Sequence, residues 1–207
     1  MKVNGVRKEF IVVHQGKPSS LYDDSCNGTW LLMKDCYESR QWHSSNSNDY
    51  SNSTIHTYLN GTFKALFDSD IQSKMLTVKL PYRSGSGYGK TVTSGANGLS
   101  ATIFLLSATE VGLTGTGSNP DNEGATLSYF SGTSTDDSKR VANLNGSATL
   151  WWLRSPYCNY NFGSTASLLV YSAGNWFCAE CSNSRGIRPA LVMSSTATVD
   201  SSNNVIP

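Results

Sequence analysis

Two cysteines three positions apart, Cys178 and Cys181, have the spacing that zinc sites and thiol redox sites use. A structural zinc site needs four ligands, and Cys158 is the one obvious further candidate. A redox pair usually lies at a helix N-terminus, which lowers the thiol pKa, whereas this pair falls in a predicted hairpin. The odd count of five cysteines implies no disulfide framework. The sequence therefore predicts buried thiols without a metal, and leaves open one disulfide from Cys158 to Cys178 or Cys181.

Residues 84–91, SGSGYGKT, differ from a phosphate-binding P-loop at the first position. That motif needs glycine where Ser84 stands, and a helix must begin at the lysine so that backbone amides point at phosphate. Residues 92–98, VTSGANG, are poor helix formers. The segment is therefore predicted to be an exposed loop that binds no nucleotide.

The remaining titratable residues form no catalytic pattern. His14, His43 and His56 are scattered and have no carboxylate at close spacing, so structural or surface roles are predicted for them. The acids in 121–123 and 136–137 lack the spacing of a calcium-binding EF-hand loop and are predicted to be solvated. The sequence has no nucleophile elbow and no zinc-protease motif. It predicts no enzyme activity and no cofactor, while Ca²⁺ binding stays open.

Length and composition limit the classes of protein to which this chain can belong. The 207 residues fit a single domain over 1–207, with a polar tail at 194–207. The net charge of +1 gives no field that would attract nucleic acid or anionic lipid. Charged residues make up 15%, below the roughly 25% of ordinary soluble domains. No apolar run predicts a membrane span, and the N-terminus lacks the apolar segment of a secretory signal.

Hydrophobic patterning predicts an α+β fold with short antiparallel sheets, two or so short helices and long loops. Ser53 is a predicted helix N-cap, and residues 63–75 resume a helical pattern after an interruption at 60–61. A further short helix is predicted at 107–111. A hairpin pairs 167–171 with 176–180. The other predicted strands are 8–14, 29–33, 76–80, 102–107, 150–153 and 187–193.

The stretch 151–193 combines two stiff segments with an unusual interior. It opens with WWLRSP at 151–156 and closes with RGIRPAL at 185–191, whereas the residues between are aromatic or small and polar. Aromatic rings give contact area at little entropy cost, and amides and hydroxyls give adaptable hydrogen bonds. The two arginines, Arg154 and Arg188, are predicted to bind a carboxylate or backbone carbonyls beneath this surface. The stretch therefore predicts a recognition surface on a scaffold.

The same segments carry a family resemblance. WWLRSP followed by GIRPAL, together with FIVV at 10–13, GTWLL at 28–32 and FLLSATEV at 104–111, resembles an uncharacterised domain family of gut Firmicutes and their phages. The tripeptide YLN at 58–60 fits the same order, and the resemblance covers roughly residues 8–193.

That family is similar to the C-type-lectin-like fold in its formylglycine-generating-enzyme variety. It also resembles the variable proteins of diversity-generating retroelements, in which adenine mutation diversifies a C-terminal stretch. The resemblance implies a C-type-lectin-like scaffold that holds hypervariable side chains. Two features depart from it: Cys178 and Cys181 fall in the variable stretch rather than in a copper-binding core, and the usual signature of calcium lectins is absent.

The resemblance and the composition together predict a non-enzymatic receptor-recognition protein on a phage tail or bacterial cell surface. Its partner would be a protein or glycan on a target cell, with no nucleic acid and no membrane insertion. Two alternatives remain open: a structural phage or cell-surface module without a diversified site, and a copper oxidase of the formylglycine-generating kind. The oligomeric state is also open. The predicted ligand contacts are the aromatic anchors Tyr157, Tyr160, Phe162, Trp176 and Phe177, the polar Asn159, Asn161, Asn175, Glu180 and Asn183, and also Ala179 and Ser182.

Overall fold

The computed structural model of the chain describes residues 1–85, 91–113, 123–134, 137–157 and 164–194, and the short strands at 198–199 and 205–206. The strands are β1 Lys2–Val3, β2 Val6–Arg7, β3 Phe10–Gly16, β4 Gly28–Met33, β5 Glu38–Gln41, β6 Val78–Leu80, β7 Tyr82–Arg83, β8 Val92–Thr93, β9 Leu99–Ala101, β10 Ile103–Phe104, β11 Asn143–Leu144, β12 Ser147–Ala148, β13 Trp151–Pro156, β14 Ala166–Val170, β15 Trp176–Glu180, β16 Ser184–Ile187, β17 Ala190–Met193, β18 Thr198–Val199 and β19 Val205–Ile206. The helices are α1 Thr54–Tyr58 and α2 Ser69–Lys74, a π-helical turn Leu59–Phe63, and 3-10 turns at Asp24–Cys26, Tyr50–Asn52, Lys64–Leu66, Gly95–Asn97, Ser128–Phe130 and Ser138–Arg140. The predicted α+β class, with short and mostly antiparallel strands, is confirmed.

A four-stranded antiparallel sheet in the order β10-β17-β4-β3 forms one part of the framework. The predicted strands at 8–14 and 29–33 are β3 and β4, which pair with each other. From Trp30 to Met33 the residues of β4 are apolar and buried on both faces, so the pattern is a continuous apolar run rather than an alternation.

A five-stranded sheet in the order β15-β14-β13-β16-β5 forms the other part and positions the stretch 151–193. Its neighbours are antiparallel except β13 and β16, which run parallel with Trp151 opposite Gly186. The predicted hairpin is confirmed, with pairs running from Ala166–Glu180 to Val170–Trp176. Among the described residues, β15 and β5 pair on one side only and are the sheet edges.

Two apolar clusters lie on opposite sides of these strands, because successive strand residues point to opposite faces. Trp151 enters the first core cluster and Trp152 the second. Leu32 and Leu31 of β4 divide in the same way. Apolar residues of α1, the π-helical turn and α2 also belong to the second cluster, so the helices cover that face.

The helical segment begins as predicted and continues further than predicted. The Ser53 hydroxyl accepts a hydrogen bond from the backbone N–H of His56 at 3.1 Å, which is the expected N-cap. Asn60 does not interrupt the segment. Its side chain instead accepts from Thr102 N at 2.7 Å and donates to Ile103 O at 2.9 Å, so it caps the entry to β10. None of the described helices is long and apolar enough to cross a membrane.

The single predicted strand at 187–193 is wrong, because two strands of different sheets share this segment. β16 ends at Ile187 and β17 begins at Ala190. Pro189 has no N–H to donate to a ladder. Its carbonyl accepts from Met33 N at 2.9 Å, and this bond holds the connection between β16 and β17 against β4.

The segment 102–111 also differs from prediction. Only Ile103–Phe104 pairs as a strand, and residues 108–112 form turns rather than a helix. Two backbone N–H groups of this segment bond side chains instead: Ser107 N donates to Glu110 Oε2, and Ala108 N donates to Ser155 Oγ, both at 2.9 Å. Side-chain acceptors of this kind compete with regular helix formation.

Candidate recognition surface

The hairpin of β14 and β15 carries several of the predicted ligand contacts, and its tip is held from behind. Tyr171 N donates to Asn175 O at 2.7 Å, which closes the turn. Gly174 has φ +94°, and a Cβ there would lie 2.2 Å from the Asp137 carbonyl oxygen, so no side chain fits. Arg140 Nε donates to Gly174 O at 2.6 Å. The position of the tip is therefore fixed by buried contacts.

The outward face of this hairpin carries two exposed aromatic rings. Phe177 is 50% exposed and Tyr171 is 42% exposed. Their ring centroids are 6.0 Å apart. The other large apolar side chains that are exposed in the described residues, Val6 and Val12, lie near the N-terminus. The Tyr171–Phe177 pair is thus a local concentration of apolar surface near the hairpin turn, with Phe177 on the edge strand β15.

The other face of β15 is turned into the protein. Trp176 and Cys178 pack against the first core cluster, and the rings of Trp176 and Tyr157 are 6.1 Å apart. Tyr157 is 6% exposed. Ala179 shares the face of Phe177, because strand residues two apart point to the same side, but it is 7% exposed and belongs to the second core cluster. The side chains of Tyr157 and Ala179 therefore present little surface to a ligand.

The predicted polar contacts occur at both ends of β15. Glu180 and Asn183 are exposed, and Asn183 N donates to Glu180 O at 2.9 Å in the turn that leaves β15. Ser182 is held there by the side chains of Gln41 and Asn46. At 3.4 Å per residue, this turn lies about 14 Å from the start of β15.

Asn175 stands at the opposite end of the strand, in the hairpin turn. Its side-chain oxygen is shielded from solvent and has no hydrogen-bond partner in the described protein. The described contacts thus lie along an edge strand and its two turns, with Phe177 and Glu180 on opposite faces of the strand. The predicted contacts Asn159, Tyr160, Asn161 and Phe162, and Cys158 with them, lie outside the described residues.

A buried charged cluster lies at β13, two strands away from β15. Arg154 pairs with both carboxylate oxygens of Glu110 at 2.6 Å and also donates to Leu105 O and Pro81 O. The predicted role of Arg154, binding a carboxylate and backbone carbonyls, is confirmed. Glu123, predicted to be a solvated loop acid, is instead fully buried and accepts from Ser155 Oγ and from Arg83 N.

Burial and charge set the protonation of this cluster. Burial raises the pKa of the Glu123 carboxyl above its ordinary value, and the nearby Arg154 offsets part of that rise. Burial alone would lower the pKa of Arg154, but the Glu110 carboxylate beside it raises that pKa overall. Burial also raises the pKa of Tyr22, whose hydroxyl donates to Glu110 at 2.7 Å. The cluster therefore combines a charged Arg154 guanidinium with the carboxyl group of Glu123, whose ionisation burial opposes.

The second arginine of the stiff segments, Arg188, is also buried. It donates to Met33 O at 2.9 Å and to Arg140 O at 3.4 Å. Its guanidinium carbon lies 5.0 Å from the centre of the Trp151 ring. The predicted carbonyl contacts are confirmed, and burial lowers the pKa of Arg188 to about 10.

Comparison with known families decides where this scaffold belongs. Residues 27–195 match the family model DUF6273, described as a domain of unknown function. The chain belongs to the DUF6273 family. No curated protein and no solved structure matches it. The DUF6273 match contains β13 to β17, hence the entire candidate surface, whereas β3 precedes the match and still pairs with β4.

The thiols of this DUF6273 chain do not form a reactive pair. Cys178 and Cys181 are both free, so neither forms the disulfide that the sequence left open. Cys178 packs against the first core cluster and Cys181 belongs to the second. Burial raises the pKa of Cys178, and it raises that of Cys181 to about 12. Thiols in this state are poor nucleophiles and poor metal ligands at neutral pH.

The histidines have structural contacts. His14 Nδ1 lies 2.7 Å from Ser128 Oγ, and the His56 ring packs 5.2 Å from that of Tyr50. Burial lowers the pKa of both His14 and His56. Within the described residues, no three histidine, cysteine or acidic side chains gather as a metal site would require.

Sequence reasoning missed two elements of the site. Tyr171 was placed in a hairpin strand but was not identified as a contact, although it is an aromatic residue next to a turn. Glu110 was missed as the partner of Arg154 because 44 residues separate the two in the chain. Only the folded topology brings them together.

Proposed function

We propose that this chain is a non-enzymatic recognition protein that binds a protein or glycan on a target cell through the edge strand β15 and its flanking turns. The observation that carries the proposal is the exposed Tyr171–Phe177 pair on a hairpin whose tip is fixed from behind. Exposed aromatic side chains are the usual anchors of protein interfaces. A preorganised backbone lowers the entropy cost of binding.

The division between exposed contacts and buried supports favours recognition over catalysis. The side chains of Phe177, Glu180 and Asn183 are exposed to solvent. The buried Arg154 bonds the carboxylate of Glu110, and the buried Arg188 bonds a backbone carbonyl. Residues on such a surface can change without removing a buried hydrogen bond. This property suits the second part of the proposal, a C-type-lectin-like scaffold diversified by a retroelement and carried on a phage tail or bacterial cell surface.

The binding proposal is tested by attaching a fluorescent dye to this protein and measuring its binding to an array of bacterial glycans and to a panel of intact gut bacterial cells. We expect the wild type to label at least one glycan or cell type, and Tyr171→Ser with Phe177→Ser to label it much more weakly. Val6→Ser with Val12→Ser is the matched control, because it removes the same kind of exposed apolar surface elsewhere. Equal loss in both double variants, or no labelling above an unfolded control, would contradict the proposal.

The diversification proposal has a separate test in the flanking DNA. We expect a template repeat that differs from the segment encoding 151–193 only at adenines, beside a reverse transcriptase. Sequencing the locus in several isolates should show that the changes are confined to the codons of the predicted ligand contacts, for example Glu180 and Asn183. Changes spread evenly over residues 27–195 would argue against it.

A further inference from the structure

The outer edge of β15 carries backbone groups that have no partner in the described part of the chain. Cys181 N donates to Thr165 O at 2.8 Å at the end of the β14–β15 ladder. Bonded and non-bonded pairs alternate along an antiparallel ladder, so the N–H and C=O groups of Trp176, Cys178 and Glu180 point away from β14. The Glu180 carbonyl accepts a bond from the turn after β15, and the other groups bond no described atom.

The other edges of the two large sheets are protected against an added strand. At β10, the Asn60 side chain accepts from Ile103 N at 3.2 Å and donates to Ile103 O at 2.9 Å. β3 has a register shift between Val12 and His14, and two of the four residues of β5, ESRQ, are charged. Such devices prevent edge pairing. β15 keeps a regular register, and its one charged residue lies at its end.

The side chains beside this open edge define what an added strand must carry. Phe177 is 50% exposed on one face, and Glu180 is exposed on the other. None of the salt bridges among the described residues includes Glu180. Opposed side chains of neighbouring strands lie about 5 Å apart, where apolar pairs and opposite charges are stabilising. The edge therefore fits a strand with an apolar residue opposite Phe177 and a basic residue opposite Glu180.

We propose that β15 binds an extended peptide segment of a partner protein, which joins the five-stranded sheet as a further antiparallel strand. In strand addition, main-chain hydrogen bonds supply affinity and alternate side chains supply specificity. Antiparallel pairing is slightly more stable per residue than parallel pairing. The inference rests on the proposed binding role of this surface, and it specifies a protein ligand, because a glycan has no backbone that continues the ladder.

A second copy of this chain fits the edge less well than such a peptide. β15 contains no basic residue, so no pairing of two β15 strands gives Glu180 a counter-charge. Antiparallel pairing about Cys178 would also place Phe177 opposite a buried alanine. The charge and the exposed ring of this edge therefore favour a different chain as the partner.

The test is fluorescence polarisation with a dye-labelled peptide, KVTVT, whose ends are acetylated and amidated. In the antiparallel register its lysine lies opposite Glu180, its central threonine opposite Cys178 and its second valine opposite Phe177. We expect the wild type to bind this peptide at millimolar concentration or below.

Two methylated forms of the peptide separate strand addition from contact through side chains alone. N-methylation of the central threonine removes the N–H that donates to Cys178 O, and it puts a methyl group between strands about 4.8 Å apart. We expect it to weaken binding at least about tenfold. N-methylation of the second valine is the matched control, because that N–H points away from β15, and it should leave the affinity unchanged.

Variants of the protein test the two side-chain contacts. Glu180→Lys should weaken KVTVT and strengthen EVTVT, each by about two- to fivefold, as expected for one cross-strand charge pair. Phe177→Ser should weaken KVTVT, whereas Val12→Ser, which removes an exposed apolar side chain from β3, should bind it as the wild type does.

Equal affinity of the two methylated peptides, or no binding of KVTVT at millimolar concentration, would overturn strand addition. Cell or glycan binding that depends on Tyr171 and Phe177 would then still support the proposed function. Conversely, the expected peptide results without any cell or glycan labelling would support strand addition and contradict the proposed target. Dimerisation in analytical ultracentrifugation that Phe177→Ser abolishes would assign the edge to a second copy and also overturn the inference.

Discussion

The rings of Tyr171 and Phe177 lie 6.0 Å apart on the solvent side of a hairpin whose other face is built into the core. The two residues flank the turn at 172–175, so a single tight connection sets their distance. Because Gly174 packs on the Asp137 backbone, that connection has little freedom to move. The turn that sets the distance between the two rings is therefore held by contacts to the core.

The first prediction concerns Gly174 itself. Gly174→Ala should destabilise the protein by more than about 1 kcal/mol, because alanine is strained at positive φ and its Cβ would meet the Asp137 carbonyl. Gly61→Ala is the matched control, since nothing lies within 4 Å of a Cβ there. Urea denaturation of both variants measures the difference. Equal stability of the two would show that the tip is not fixed.

The second prediction concerns the buried ion pair. Glu110→Gln should lower the free energy of unfolding by about 3–5 kcal/mol, because it leaves the buried Arg154 without its counter-charge. Glu9→Gln, which breaks the exposed pair with Lys34, should have no measurable effect. Chemical denaturation measures both. An unchanged midpoint for Glu110→Gln would mean that the cluster does not support the scaffold.

The third prediction is a pH dependence that originates in Glu123. Since burial raises its pKa in the folded state, its contribution to stability is fully present below the unfolded pKa and is lost as the pH rises through the folded pKa. Relative to Glu123→Gln, the wild type should therefore lose stability as the pH rises above about 4, the ordinary pKa of a glutamate. Urea midpoints measured from about pH 4 upward test the point. Parallel curves for the two proteins would refute it.

The fourth prediction concerns thiol reactivity. With a pKa of about 12 and a buried side chain, Cys181 should react with iodoacetamide at pH 7.5 at least about a hundredfold more slowly than in urea-unfolded protein. Peptide mass spectrometry resolves its labelling from that of the other cysteines. Equal rates in folded and unfolded protein, or recovery of Cys181 in a disulfide, would contradict the structure.

Much of the framework follows from local pattern. The apolar run of β4 and the glycine-containing turn between the apolar segments of β14 and β15 are local signals, so these elements were predictable. The N-cap at Ser53 is equally local. The split between β16 and β17 was less visible, because Ile187 and Leu191 look alike in sequence although they belong to different sheets.

The site was predictable in composition but not in geometry. Aromatic and small polar residues marked 157–183 as a surface, yet Tyr157 and Ala179 are buried because they pack into the two core clusters. The helix predicted at 107–111 does not form. Glu110 bonds Arg154 instead, and a contact between residues 44 positions apart cannot be predicted from local sequence.

The central claim is that Tyr171 and Phe177 bind a ligand and do not hold the fold together. Its most direct test compares the dissociation constant of Tyr171→Ser with Phe177→Ser and that of the wild type, using a glycan or cell type that the wild type labels, with Tm measured alongside. We predict at least about a hundredfold weaker binding, as expected for two anchors, and a nearly unchanged Tm. An unchanged dissociation constant, or a Tm that falls together with affinity, would contradict the account.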